Sequence, residues 1–583
     1  MISLGIMPFV NSTAALMIDE TIVACACEDR FTRQKSVAAY PKHSIEFCLD
    51  YTGVKPKDID FVMLPYKGID LRNPTRWITD YDATFSMEDK IREQHEYFKP
   101  VLIEGQDVDF LEIFNAKIIP ERLKIVREAE QKSMTFLDLL LHKHLDIEEK
   151  KICYVDHHKS HIMYAINTNR NLQNPSLIFC MEGYGGDRNG SISIYKDNKL
   201  EIIYQTPYCW IGRLYRYITL LLGMKTNEHE YKVMGLAPYS SEYTLEGPLE
   251  VFRQTAYVDG LEIKFKHKPK DMYFYFKENL EPFRFDGIAG ALQRYTEEII
   301  CEWVGNAISY TGIRDVMFTG GVAMNIKAMM ELSKIPKVNS LWVGGTSSDE
   351  SLSMGAIMLG AYENEMPIRC VSSLYLGKEY SDQEIEQFIN LENLENSYQL
   401  QKHVSPDEIA ARLEDDQIVG RFCGREEFGA RALGNRSILA NPKSINVIRR
   451  INEKIKSRDF WMPFAPVILE ERKECYLIDR KNIDSPYMTI GFESTDLAKD
   501  HLLGALHPYD FTARPQILRQ EDNVPYYEII KAFEQKTGIG GLLNTSLNLH
   551  GEPIVHSLKD ALRVFEVTQL DCLQLGQWLI SKQ

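Results

Sequence analysis

At 583 residues, 44% hydrophobic and 26% charged, the chain has the composition of an ordinary soluble enzyme with room for two or three domains, each with its own core. Its net charge of −16 argues against non-specific nucleic-acid binding, which needs many phosphate-neutralising cations. No apolar run reaches the roughly 18 residues of a membrane-spanning helix. The start, Met1-Ile2-Ser3-Leu4-Gly5-Ile6, lacks the basic flank and long apolar run of a signal peptide, and the eleven cysteines include no Cys-x-x-Cys pair. Reduced thiols and a cytoplasmic location are expected.

In chain order, Leu4-Gly5-Ile6 leads through Asn11-Ser12-Thr13 to an apolar run at 14–18, a turn at Asp19-Glu20 and a second run at 21–24. The pattern is strand, small polar turn, strand, tight turn, strand. It recurs at 177–180, 182–187, 191–195, the turn Lys196-Asp197-Asn198-Lys199 and 200–204. Two such meanders separated by helical segments predict a duplicated α/β core. Residues 66–150, rich in aromatics and alternating charges with a helical pattern over 120–144, read as a helical insertion.

Four constellations carry chemistry. In Asp156-His157-His158-Lys159-Ser160-His161, His157 and His161 stand at i and i+4, so on a helix they share a face. That is metal-ligand spacing, or else a polar face with incidental histidines, and carboxylates must come from elsewhere to close a site. Glu182-Gly183-Tyr184-Gly185-Gly186-Asp187 follows a buried-looking strand, and such a glycine turn cradles a phosphate or is simply a turn. Thr319-Gly320-Gly321-Val322-Ala323-Met324-Asn325 reads as a strand end, a glycine pair and a helix starting near Asn325. Downstream, Asp349 is either the cap of the small-residue helix that follows or the missing carboxylate ligand.

Residues 363–400 read as a connection into a second domain running from about Val371 to Gln583. From 421 to 473 there are twelve Lys/Arg against six Asp/Glu, a basic island in an acidic protein. At its centre Gly424-Arg425-Glu426-Glu427-Phe428-Gly429-Ala430-Arg431-Ala432-Leu433-Gly434-Asn435-Arg436 interleaves guanidinium groups with glycines and an amide, a pattern suited to an anionic small molecule. Lys456 and Arg458 lie among aromatics, and Asn544, Ser546 and Asn548 offer donors after a predicted strand. No Walker A loop, Rossmann fingerprint or nucleophile elbow is present.

In this order and spacing the motifs resemble the O-carbamoyltransferase family of nodulation-factor, cephamycin and tobramycin carbamoylation (the NodU/CmcH type). The matching residues are Glu28-Asp29-Arg30-Phe31-Thr32-Arg33, His157-His158 with His161, Glu230-Tyr231-Lys232-Val233-Met234-Gly235-Leu236-Ala237-Pro238-Tyr239, the Thr319–Asn325 run, 424–442, Pro463-Phe464-Ala465-Pro466 and Asn544-Thr545-Ser546. The likeness covers nearly the whole chain except roughly 66–150.

The resemblance implies an α/β protein: a duplicated actin-like (ASKHA) domain over 1–370 and a YrdC-like α/β domain over 371–583. The second domain would convert carbamoyl phosphate and ATP, with Mg²⁺, into carbamoyl-adenylate. The first would pass the carbamoyl group to a hydroxyl, with the labile intermediate shielded from water. Metal ligands map onto His157, His161, Glu182 and Asp349, for Fe(II) or another divalent ion. Gly183, Lys232, Gly320, Gly321 and Asn325 would contact nucleotide in the first domain. Arg425, Arg431, Asn435, Arg436, Arg458, Asn544, Ser546 and Asn548 would hold phosphates in the second, with Arg431 and Ser546 assigned to catalysis. The family's His-Asp pair, whose histidine is the acceptor base, is replaced by Val10 and Asn11, which leaves His158 as the nearest alternative base. Glu182 stands for an aspartate, and Met462 for an arginine. Expected partners are carbamoyl phosphate, ATP and a hydroxyl-bearing acceptor. No membrane is expected, and nucleic acid only as a modified-base acceptor; a homodimer stays open. Competing readings are a tRNA threonylcarbamoyl-type enzyme and a non-catalytic actin-like nucleotide switch.

Overall fold

The computed structural model describes residues 1–67, 75–79 and 84–582. The chain divides into two units, Met1–Ser372 and Ser373–Gln583. In the first unit, β1 (Ile2–Met7), β2 (Thr13–Ile18) and β3 (Thr21–Cys27) form the first antiparallel meander. Two further strands, β4 (Phe61–Leu64) and β5 (Ile152–Tyr154), extend the sheet in parallel on the other side of β1, giving the order β3-β2-β1-β4-β5.

The second meander is β6 (Ser176–Gly185), β7 (Arg188–Lys196) and β8 (Lys199–Thr206). A separate hairpin follows, β9 (Ala256–Asp259) with β10 (Glu262–Phe265). Then β11 (Asp315–Thr319) and β12 (Ser340–Val343) run parallel to β6, giving β8-β7-β6-β11-β12. Both sheets share strand order and strand directions, so the core is duplicated.

Leu4, Ile6, Leu16, Val62 and Leu64 have no exposed surface. Fully burying each such side chain contributes about 1.5–3 kcal/mol. Two helices that follow the last strands of the two sheets, His157–Thr168 and Leu352–Glu363, pack on each other. A Cβ on Gly355 would lie 2.3 Å from the Ser160 carbonyl oxygen, so only glycine lets the helix bearing His157 and His161 settle here.

The insertion is helical where it is described; residues 68–74 and 80–83 lie outside the described residues. The pattern over 120–144 resolves into two helices, Pro120–Gln131 and Phe136–Leu145. The break has a local cause: Ser133 adopts a left-handed φ of 55°, and Thr135 caps the second helix through Asp138 N.

The second unit is built on a mixed sheet. Its strands are β13 (Tyr398–Lys402), β14 (Val419–Phe422), β15 (Arg436–Ala440), β16 (Ala465–Leu469), β19 (Gln516–Leu518), β20 (Gly541–Ser546), β21 (Cys572–Leu575) and β22 (Trp578–Lys582), in the order β13-β22-β21-β14-β15-β20-β16-β19. The short strands β17 (Leu477–Ile478) and β18 (Glu493–Ser494) pair separately. The 363–400 segment is not all connection: the helix Asp382–Leu391 and β13 belong to this unit. Asn544 and Ser546 lie within β20 rather than after it. The arginine-rich stretch is the long loop joining antiparallel β14 and β15. All eleven cysteines are free, and among the described residues no helix is long and apolar enough to cross a membrane.

Candidate metal centre and arginine loop

The ligand-bearing helix is fixed at its first turn. Asp156 caps it by accepting from Lys159 N at 2.8 Å, and Arg188 on β7 holds Asp156 with Nη2 at 2.8 Å from Oδ2. His157 and His161 then project one turn apart, both buried. Glu182 comes from β6, and Asp349 from the short turn Asp349–Ser351. Asp349 is not the cap of the following helix; that position is Ser351. One ligand atom from each of His157, His161, Glu182 and Asp349 lies within 4.8 Å of all the others. His161 Nε2 is 3.0 Å from Glu182 Oε1 and 3.6 Å from Asp349 Oδ1, and His157 Nε2 is 3.9 Å from the same Asp349 oxygen.

The glycine pair shapes this group directly. The Gly321 N–H donates to Glu182 Oε1 at 2.6 Å. Gly320 has φ 88°, and a Cβ there would lie 2.4 Å from the Met181 carbonyl oxygen and 2.8 Å from Glu182 Oε1. The residues expected to cradle nucleotide therefore also aim a carboxylate.

The electrostatics fit a cation. Both ring nitrogens of His157 and of His161 are buried without a hydrogen-bond partner of normal geometry. Burial disfavours charge on His161, yet Glu182 and Asp349 outweigh it and lift its pKa to about 9. Burial lowers the pKa of His157 to about 4 against the pull of Asp349, and raises that of Glu182 against the pull of His161. Two carboxylates here need a counter-charge, and two imidazoles facing two carboxylates at these distances are the donor set of a divalent transition metal.

His158 is a correction. Its side chain turns away from the tetrad: Nδ1 lies 3.2 Å from Ser191 Oγ on β7, and a Cβ on Gly185 would touch its Nε2 at 2.4 Å. Burial, with His157, His161 and Arg188 nearby, holds its pKa well below the ordinary value. This is a histidine packed against the β6–β7 hairpin, with its Nδ1 on Ser191. Asn325 caps the helix Ile326–Lys334 through Ala328 N and exchanges hydrogen bonds with Gln293. Gly183 follows Glu182 on β6, and Lys232 lies half-buried on the helix Glu230–Leu236.

In the second unit the arginines part company. Arg436 has no exposed surface; Nη1 donates to the carbonyls of Cys423, Gly424 and Asn435, Nη2 to that of Lys378, and the guanidinium lies 3.7 Å from the Phe422 ring centroid. It is an internal clamp, so the expectation that it binds phosphate is corrected. Asn435 is likewise engaged, accepting from Arg421 and Asn523 and donating to the Arg425 carbonyl. Arg425 donates to the carbonyls of Leu376 and Gly377. Asn544 donates to the Ala432 carbonyl, while its buried Oδ1 has no partner.

Arg458 reaches Thr545 Oγ1 at 3.1 Å beside the Phe464 ring, and Arg431 is half-buried in the loop. Lys456, only 2% exposed, donates to the Ser546 carbonyl and to Asn548 Oδ1, which also accepts from Ser546 Oγ at 2.7 Å. Sequence reasoning did not select Lys456 as a site residue, because its only local signal was a cation near aromatics. It also missed Glu427, which is buried and accepts from the backbone of Leu433 and Arg436, fixing the loop.

The first unit is thus a duplicated α/β core holding a two-histidine, two-carboxylate group, and the second an α/β unit with an arginine-rich loop. The chain belongs to the carbamoyltransferase family: the model described as "Carbamoyltransferase N-terminus" matches residues 3–358, and "Carbamoyltransferase C-terminus" matches 410–582. It is a carbamoyltransferase. It is 30% identical over 590 residues to an uncharacterized protein of Methanocaldococcus jannaschii, covering 99% of each chain. It is 28% identical to nodulation protein NolNO of Sinorhizobium fredii, over 99% of this chain and 79% of that one. A shorter match, 30% identical over 243 residues, is to nodulation protein U of Rhizobium fredii, with 41% of this chain and 39% of that one.

Proposed function

We propose that the chain is an ATP-dependent O-carbamoyltransferase working in two half-reactions, one in each unit. One observation carries this reading: the charged chemistry falls into two different sets, the His157, His161, Glu182 and Asp349 group in the first unit and the Lys456, Arg458, Thr545 and Ser546 set in the second. In the second unit, of YrdC-like type, water hydrolyses carbamoyl phosphate to carbamate and inorganic phosphate, and a carbamate oxygen attacks the α-phosphorus of Mg·ATP to give carbamoyl-adenylate and displace pyrophosphate. Arg431 and Arg458 neutralise the phosphates, with Ser546 as a further donor, while Lys456, buried on the Ser546 carbonyl and Asn548, holds that end of β20 in place. Carbamate alone is a poor electrophile; as an adenylate it carries a good anionic leaving group.

The first unit, of actin-like type, binds the adenylate and the acceptor. The acceptor oxygen takes the carbamoyl carbon, AMP departs, and the hydroxyl proton is released. Fe(II), or another divalent ion, held by His157, His161, Glu182 and Asp349 would supply Lewis acidity at an oxygen ligand. Gly321 keeps the Glu182 carboxylate in place, and Asp156 with Arg188 fixes the helix that presents both histidines. Val10 and Asn11 have no useful basicity, and His158 faces elsewhere, so none of the three takes the hydroxyl proton. The acceptor is a hydroxyl of a sugar, natural product, polysaccharide or modified nucleobase.

The test is pyrophosphate exchange into ATP by the full chain. Exchange should require carbamoyl phosphate, persist in His161→Ala and fall sharply in Arg431→Ala. Exchange that ignores carbamoyl phosphate refutes the reading, and ATP hydrolysis indifferent to it would mark a nucleotide switch instead.

A further inference from the structure

One cation stands beside the tetrad without a role in the account above. The helix Ile211–Leu221 starts against β6: a Cβ on Gly212 would lie 2.7 Å from Gly183 N, so the two backbones touch one residue beyond Glu182. The next residue, Arg213, donates from Nε to the Gly183 carbonyl at 2.8 Å. Its guanidinium lies 5.6 Å from the Tyr184 ring centroid, and Tyr184 is 61% exposed. The carbonyl and the ring fix the guanidinium plane. Its Nη1 and Nη2 groups make no hydrogen bond or ion pair among the described residues.

A fork held by Nε alone, with both terminal nitrogens open, matches two oxygens of one phosphoryl group, a geometry a lysine cannot reproduce. Because protein contacts already order the side chain, less freedom is lost on binding. The position also has an electrostatic logic. Glu182 and Asp349 place two carboxylates where an anionic donor must approach, and a cation one residue from Glu182 offsets that repulsion.

We propose that Arg213, held on the Tyr184 ring, is the phosphate-recognition residue of the first unit and binds the phosphoryl group of a nucleoside monophosphate ester, the leaving side of the activated donor. This rests on the two-half-reaction reading above.

The experiment is hydrogen–deuterium exchange on the full chain with AMP, adenosine or inorganic phosphate as probe. In the wild type, AMP should protect 183–186 and 211–216, and adenosine and phosphate should protect them far less. Arg213→Gln should lose that protection and bind AMP in the first unit about 10- to 100-fold more weakly, while protection of the 424–436 loop persists. Arg213→Lys should restore it only partly. Tyr184→Ala, at an exposed position, should weaken it with an unchanged melting temperature. Unaltered 211–216 protection in Arg213→Gln, or wild-type protection confined to 424–436, overturns the assignment of Arg213. Phosphate protecting as well as AMP overturns its nucleotide specificity. No AMP protection in either unit would instead sink the two-half-reaction reading itself.

Discussion

Arg436→Met separates a structural arginine from a phosphate ligand. The guanidinium is fully buried and donates to four carbonyls, of Cys423, Gly424, Asn435 and Lys378, while lying on the Phe422 ring. Methionine fills much of the volume but leaves those carbonyls without their donor. A hydrogen bond to a charged group contributes about 1.5–3 kcal/mol. The four share one side chain, and the Gly424 carbonyl belongs to an exposed residue that water can reach, so the sum is not four times that. Carbonyls left without their donor cost about 1–3 kcal/mol each, less than additively here, so a loss of roughly 3–5 kcal/mol is expected. For a unit of this size that lowers the melting temperature by roughly 6–20 °C. Differential scanning calorimetry of the full chain, following the transition of the second unit, reads it. The reasoning fails if the variant melts within about 2 °C of wild type yet loses ATP affinity, since Arg436 would then be spending its charge on ligand rather than on the loop.

Four further outcomes follow from the same contacts. His161→Ala should copurify with little metal by elemental analysis and lose carbamoyl transfer; full metal occupancy would remove it from the ligand set. Gly320→Ala places a Cβ 2.4 Å from the Met181 carbonyl at a φ of 88°, so metal affinity by chelator competition should fall tenfold or more, roughly as for loss of a supporting contact around a metal. His158→Gln should leave the transfer rate and its pH profile unchanged, because its Nδ1 faces Ser191; a profile that shifts would return it to the mechanism. Burial raises the pKa of Glu297 from 4.5 to about 7. The folded state then holds that proton more tightly than the unfolded one, so its contribution to stability is full below pH 4.5 and lost as pH rises to about 7. Glu297→Gln should flatten denaturation midpoints across that window; an unchanged slope would contradict the burial argument.

The sequence by itself determined what depends on neighbours in the chain. Short apolar runs and the turns between them set both meanders, and the i, i+4 spacing put His157 and His161 on one helical face. Tertiary structure decided what depends on distant partners. Asp349 could be read as cap or ligand until packing set its carboxylate against His157 and His161. Gly321 reaches Glu182 across 139 positions, so a glycine pair that reads as a phosphate cradle also proved to be a carboxylate rest. The arginines of the 424–436 loop look alike in sequence, and all suggest anion binding. Arg436 is removed from that role by a carbonyl 58 residues away and an aromatic face beneath it. Local periodicity is encoded in a few consecutive residues, because a helix or strand repeats its own geometry. Whether a charged side chain meets a ligand or a carbonyl is fixed only when the chain closes around it, because burial strips away water and leaves the nearest acceptor to decide.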